Sequence, residues 1–191
     1  MQTGSFQLGM IRQLSAALVL AVGAVSAASA QPVATGWNPA QVRQLKQWVQ
    51  DAPRDALPLI AMPELEAALA AQDQPAIDRA ATAMALRLAR MHLLGCATPA
   101  ERSGWNIADA SDAAGLEARL AAAVAAQELD RFIAGLRPHH PDYARLRAAL
   151  ASETDPAKRT ALSRNMERWR WMPLDLGKDY VLVNTARFEA S

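Results

Sequence analysis

A chain of 191 residues suits one domain or one and a half. With 43 Ala and only ten aromatic residues, its core must be Leu, Ala, Val and Met packed between helices. Gly and Pro total 20, too few for a collagenous or low-complexity chain, and 20 basic against 19 acidic residues leave no footprint of a dedicated nucleic-acid binder.

The N-terminus reads as an export signal. Arg12 is the only basic side chain before an apolar run from Leu14 to Val25, which is followed by Ser26-Ala27-Ala28-Ser29-Ala30. Basic residue, apolar stretch and small-x-small ending are the order of a secretory signal peptide, with cleavage expected after Ala30. The run is about 12 residues, whereas a membrane span needs about 20, so no transmembrane segment is expected. Met10 stands just before Ile11-Arg12 and is an equally good start. Residues 1–30 are therefore assigned to the signal, and removal of Arg12 balances the charges of the remainder.

Helices separated by Pro-marked breaks follow. Trp37-Asn38-Pro39 supplies an N-cap and a first-turn proline, and Val42, Leu45 and Trp48 or Val49 recur at helical spacing. Asp51 to Pro63 contains three prolines and reads as a loop; Glu64 to Ala71 is a short helix. Asp73 caps the next, where Ile77, Ala80, Met84, Leu88 and Met91 form one stripe as far as Gly95. From Thr98 to Ser111 the pattern stops, leaving Trp105-Asn106-Ile107 as an apolar anchor in a loop. Leu116, Leu120, Val124 and Leu129 mark another helix, and Phe132, Ile133 and Leu136 a short one before Pro138. Tyr143, Leu146 and Leu150 start the next, and Asp155-Pro156 restarts a helix through Lys158, Leu162, Met166 and Trp169 to Met172. Tyr180-Val181-Leu182-Val183-Asn184 is the one strand signal, and it stands alone. The fold class is mainly α, an irregular helical bundle over residues 31–172 with a short β segment in residues 173–191.

Three features invite chemistry. Cys96 has no second cysteine, so no internal disulfide forms, and His92 precedes it by one helical turn. Gly95 breaks that turn and the surroundings are apolar, so Cys96 is read as a buried structural thiol. His139-His140 are adjacent in a turn, without an Asp/Glu/Cys cluster at ligand spacing, so neither a metal nor a cofactor is expected. Arg168-Trp169-Arg170-Trp171 has two readings. Arg168, Arg170 and Trp171 could contact a glycan or a carboxylate-bearing substrate or partner. Alternatively Met166, Trp169 and Pro173 face the core while the arginines pair with acids such as Glu167, which helical periodicity favours.

The run Asn165-Met166-Glu167-Arg168-Trp169-Arg170-Trp171-Met172-Pro173, then Asp175-Leu176-Gly177 and the Tyr180 to Asn184 strand, resembles the segment joining scaffold to catalytic domain in the large periplasmic murein L,D-transpeptidases. Leu136-Arg137-Pro138-His139-His140-Pro141-Asp142-Tyr143, with Leu146 and Leu150, resembles that family's L-x-P-x-H-P-x-Y-x-x-L stretch. The resemblance implies a scaffold domain over 31–172, followed in 173–191 by a linker and the first strand of a catalytic sheet that is missing here. It implies acyl transfer between peptidoglycan stem peptides. In that reaction a cysteine thiolate attacks the third residue's carbonyl, the terminal D-Ala leaves, and the acyl group passes to a diaminopimelate amine. The family's Ser-His-Gly-Cys type motif has no counterpart, so this chain alone is expected to be inactive. Peptidoglycan stem peptides or glycan, and the absent catalytic domain, are the implied partners; a noncatalytic periplasmic adaptor is the alternative.

Overall fold

The computed structural model describes residues 36–105, 115–174, 178–179, 183–184 and 189–190. The chain divides into two units, Met1–Pro32 and Val33–Ser191. The first lies outside the described residues, and with it the signal-peptide expectation. No helix among the described residues is long and apolar enough to cross a membrane.

The helices are α1 (Pro39–Asp51), α2 (Pro63–Ala71), α3 (Gln74–Leu94), α4 (Leu116–Ala125), α5 (Leu129–Ala134), α6 (Pro141–Ser152) and α7 (Pro156–Arg170). Five of them carry Pro in the first turn, where its missing N–H leaves nothing unsatisfied. Asn38 accepts from the amides of Ala40 and Gln41 while Gln41 Oε1 accepts from the Asn38 amide, a reciprocal capping box. Asp73 and Asp155 cap α3 and α7 without the reciprocal bond, each accepting one amide, from Ala76 and Lys158. The Pro-rich loop expected from Asp51 is shorter than anticipated. Helix α1 runs through Asp51 into a 3-10 turn, Ala52–Asp55, which places Asp55 rather than a loop tip against the body. The last helix ends at Arg170, two residues earlier than its pattern suggested.

The main core gathers Leu45 and Val49 of α1, Leu65 of α2, Ile77, Met84 and Leu88 of α3, and Leu120, Val124, Leu129 and Ile133 of α4 and α5. Trp37 closes one end. Its backbone N–H donates to Asp78 Oδ1 (2.9 Å) and its indole N–H to Thr82 Oγ1 (3.0 Å), so the entering chain is fixed to α3. Helices α6 and α7 pair as a hairpin whose own buried apolar set is only Tyr143, Leu150 and Met166. Ala56, Leu146, Leu162 and Trp169 pack partly buried against it, and polar side chains add to this apolar join between hairpin and body.

Beyond α7, Val183–Asn184 (β1) pairs antiparallel with Glu189–Ala190 (β2), Val183 opposite Ala190. The strand signal is therefore not lone, as expected, but one arm of a two-stranded pair. Neighbouring Tyr180 to Leu182 lie outside the described residues.

Candidate functional site: a buried arginine and carboxylate hub

The C-terminal turn of α7 presents Met166 and Arg170 on one face, and both are buried. An arginine on a buried stripe must find partners for its five N–H groups, and Arg170 finds three. Its Nη2 donates to the Asp55 carbonyl oxygen and to the Tyr143 hydroxyl (2.8 Å), and its Nη1 to Glu167 Oε2 (3.1 Å). Tyr143 in turn donates to Asp55 Oδ1 (3.3 Å). The Asp55 carboxylate, 1% exposed, also receives Arg147 Nε on Oδ1 (2.9 Å) and both Nε and Nη2 of Arg137 on Oδ2 (3.1 and 2.8 Å). One carboxylate thus holds the 3-10 turn, the α5–α6 connection and α6 together, and Arg170 adds α7.

Glu167 extends the hub to the chain after α3. Its Oε1 accepts from the amides of Cys96 (2.7 Å) and Ala97 (2.8 Å) and from the Trp171 indole (3.2 Å). Gly95 makes this possible. Its φ of +79° is a left-handed conformation that favours glycine, and a Cβ there would fall on Glu167 Oε1.

Of the three residues expected to contact a substrate or partner, only Arg168 is exposed. Arg170, with no exposed side-chain surface, and the buried Trp171 are placed inside the body, because each is needed as packing and as a hydrogen-bond partner there. Trp171 meets Trp105 edge-on at 5.3 Å between ring centroids, with Arg102 over its ring at 5.4 Å. Trp105 is thereby the loop anchor its sequence context suggested; Asn106 and Ile107 lie outside the described residues. The pairing of Arg170 with Glu167 and the burial of Met166 follow the alternative reading of the same run.

Cys96 corrects an expectation, since it is exposed rather than buried: the break at Gly95 carries it away from the apolar face of α3. Partial desolvation and the Glu167 carboxylate both push its thiol pKa up, opposite to what a nucleophile requires. His92 does not assist it. The imidazole is fully buried, edge-on to Trp48 at 6.2 Å, and neither ring nitrogen has a hydrogen-bond partner among the described residues. Burial is the largest cause holding its pKa down at about 3, with Arg137, Arg170 and Arg147 acting in the same direction and Asp55 against it.

The two adjacent histidines diverge. His139 is exposed, whereas His140 accepts the Asp142 amide on Nδ1 (3.2 Å) as the cap of α6 and stacks on Trp169 at 4.4 Å. No group of three or more metal-ligating side chains comes together among the described residues.

The sequence reading missed Asp55, Arg137 and Arg147 as a unit, and Gln41. The Gln41 side chain is buried and donates to the Val124 carbonyl at 2.6 Å, tying α1 to α4. Arg147 carried a usable signal: it shares a face with Tyr143 and Leu150, and a charge on an apolar stripe announces a buried partner.

Fold and hub define a helical scaffold whose polar side chains lock elements to one another. The chain belongs to the family described as Scaffold domain, whose profile matches residues 26–150. This agrees with the resemblance to the scaffold region of L,D-transpeptidases. No curated protein and no solved structure matches the chain.

Proposed function

We propose that this chain is the scaffold part of a periplasmic peptidoglycan L,D-transpeptidase, exported by residues 1–30, and that it supports the catalytic domain that forms 3-3 cross-links. The observation that carries the reading is the Scaffold domain match over residues 26–150, with the Asn165 to Pro173 run of the junction type further along the chain. The chemistry of the described residues is in keeping with support rather than acyl transfer. Cys96 has a raised thiol pKa, and the nearest histidine in sequence, His92, is neutral and enclosed. An acyl-transfer nucleophile needs a lowered pKa or an adjacent base. The hub instead spends its arginines on fixing the α6–α7 hairpin, the element that leads into the junction.

Intact-mass measurement after incubation with a carbapenem, which acylates the thiolate of L,D-transpeptidases, tests this directly. The expected result is an unmodified chain at neutral pH. An adduct on Cys96 contradicts the scaffold reading. Sedimentation with purified sacculi separates the adaptor alternative: strong binding abolished by Arg168→Ala favours an adaptor working through the one exposed residue of the Arg/Trp run.

A further inference from the structure

A second cationic feature lies along α6 beside the hairpin core, with Leu150 of that core in its wall. A groove of about 600 Å³ runs between Pro53-Arg54 of the 3-10 turn, α6 and the first turns of α7. Its floor is the exposed alanine face of α6, Ala144, Ala148 and Ala151, spaced four and three residues apart and therefore stacked along the helix. Its rim carries Arg54, Arg147 and Arg159, one from each surrounding element.

Each guanidinium is anchored by part of its fork. Arg147 uses Nε on Asp55 Oδ1, and Arg159 uses Nη1 on the carbonyls of Leu150 (2.9 Å) and Glu153 (2.7 Å) at the end of α6. Arg54 has only a solvent-exposed approach of Nη1 to Asp51 Oδ1, at 3.3 Å. The remaining nitrogens of Arg147 and Arg159 have no hydrogen-bond partner among the described residues. Arg159 also offsets the negative end of the α6 dipole. The lining itself carries three guanidiniums and no carboxylate; Asp51 and Asp55 pair with Arg54 and Arg147 from beside it, and Glu153 and Asp155 turn their carboxylates to the backbone amides of the α6–α7 connection and the first turn of α7. Positioned guanidiniums over a shallow floor of methyl groups suit planar anions on a chain thin enough to lie against a helix. No aromatic side chain lines the groove, so the stacking platform used for bases is missing.

We propose that this groove binds an extended peptide through its carboxylates, with Arg54, Arg147 and Arg159 as the recognising groups. The site stands apart from the Arg168 to Trp171 run and does not depend on the transpeptidase reading. Calorimetric titration of the full chain with tri-glutamate, tri-glutamine and inorganic phosphate tests it. Tri-glutamate should bind with an affinity that falls as salt rises. Arg54→Ala should weaken that binding at least fivefold, as should Ala148→Phe, which fills the floor without altering a charge. Arg54 is mostly exposed, so its variant keeps the wild-type melting temperature and remains informative if Ala148→Phe destabilises the fold. Absence of tri-glutamate binding, equal binding of tri-glutamine, or affinity unchanged in Arg54→Ala overturns the proposal. Phosphate binding as tightly as tri-glutamate reduces the groove to a simple ion site and overturns it too.

Discussion

Replacing Arg170 with Ala is expected to destabilise the helical body by about 3–5 kcal/mol, the range for removing one partner from a buried ion network. The substitution strands the carbonyl of Asp55 and one oxygen of Glu167, and leaves the Tyr143 hydroxyl with only its bond to Asp55. Stranded polar groups cost more than the net value of the bonds they lose, because they have already given up water. Against a typical total of about 5–15 kcal/mol, a loss of this size moves the urea midpoint far down and lowers the melting temperature by on the order of 10 °C. Arg170→Lys should recover little, since an ammonium cannot reach both branches as the guanidinium fork does. Arg168→Ala is the control: the residue is exposed, and its effect should stay within about 0.5 kcal/mol. Equal effects at positions 168 and 170 would show that the hub does not hold the hairpin.

Acid should weaken the fold before its carboxylates titrate, and His92 is the reason. Its folded-state pKa of about 3 lies below the ordinary value of 6.5, so the unfolded chain takes up a proton that the folded chain refuses. Stability from this group is therefore complete above pH 6.5 and is lost as pH falls toward 3, at about 1.4 kcal/mol for each pH unit between those limits. Between pH 7 and pH 5 the expected loss is about 2 kcal/mol, measured by urea unfolding at each pH. His92→Leu should flatten that slope. An unchanged slope in the variant would place the acid sensitivity elsewhere.

Helix positions were legible in the sequence because the determinants are local. Asn38, Asp73 and Asp155 are caps, prolines sit in first turns, and the stripe from Ile77 to Leu88 repeats at helical spacing. The hub was not legible, because it depends on residues far apart in the chain. Asp55 and Arg170 are separated by 115 positions, and Asp55 sits in a Pro-flanked stretch that reads as solvent-exposed loop. Arg137 and Tyr143 were recognised as parts of a motif, but a motif shows recurrence and not which charges will meet. The stripes of α6 and α7 did contain the clue. Tyr143, Arg147 and Leu150 share one face, as do Leu162, Met166 and Arg170, and in each an arginine stands where an apolar residue is expected. Cys96 went wrong for a related reason: its neighbours are apolar, yet a single left-handed glycine turns the chain outward there.

Two members of the hub, Glu167 and Arg170, belong to the junction run itself. Glu167 and Arg170 lie on the last turns of α7, so the chain after residue 173 leaves a helix end tied to the segment after α3, to α6 and to the 3-10 turn. Such anchoring suits an element that must hold a neighbouring domain at a fixed angle, since domain orientation is only as well defined as the element that carries it.

Association with an isolated L,D-transpeptidase catalytic domain, measured by analytical ultracentrifugation, tests the scaffold claim most directly. A saturable one-to-one complex, lost when Arg170→Ala loosens the hairpin, is the result the account predicts. Failure of the folded chain to associate with that domain, together with tight binding to sacculi on its own, would contradict it.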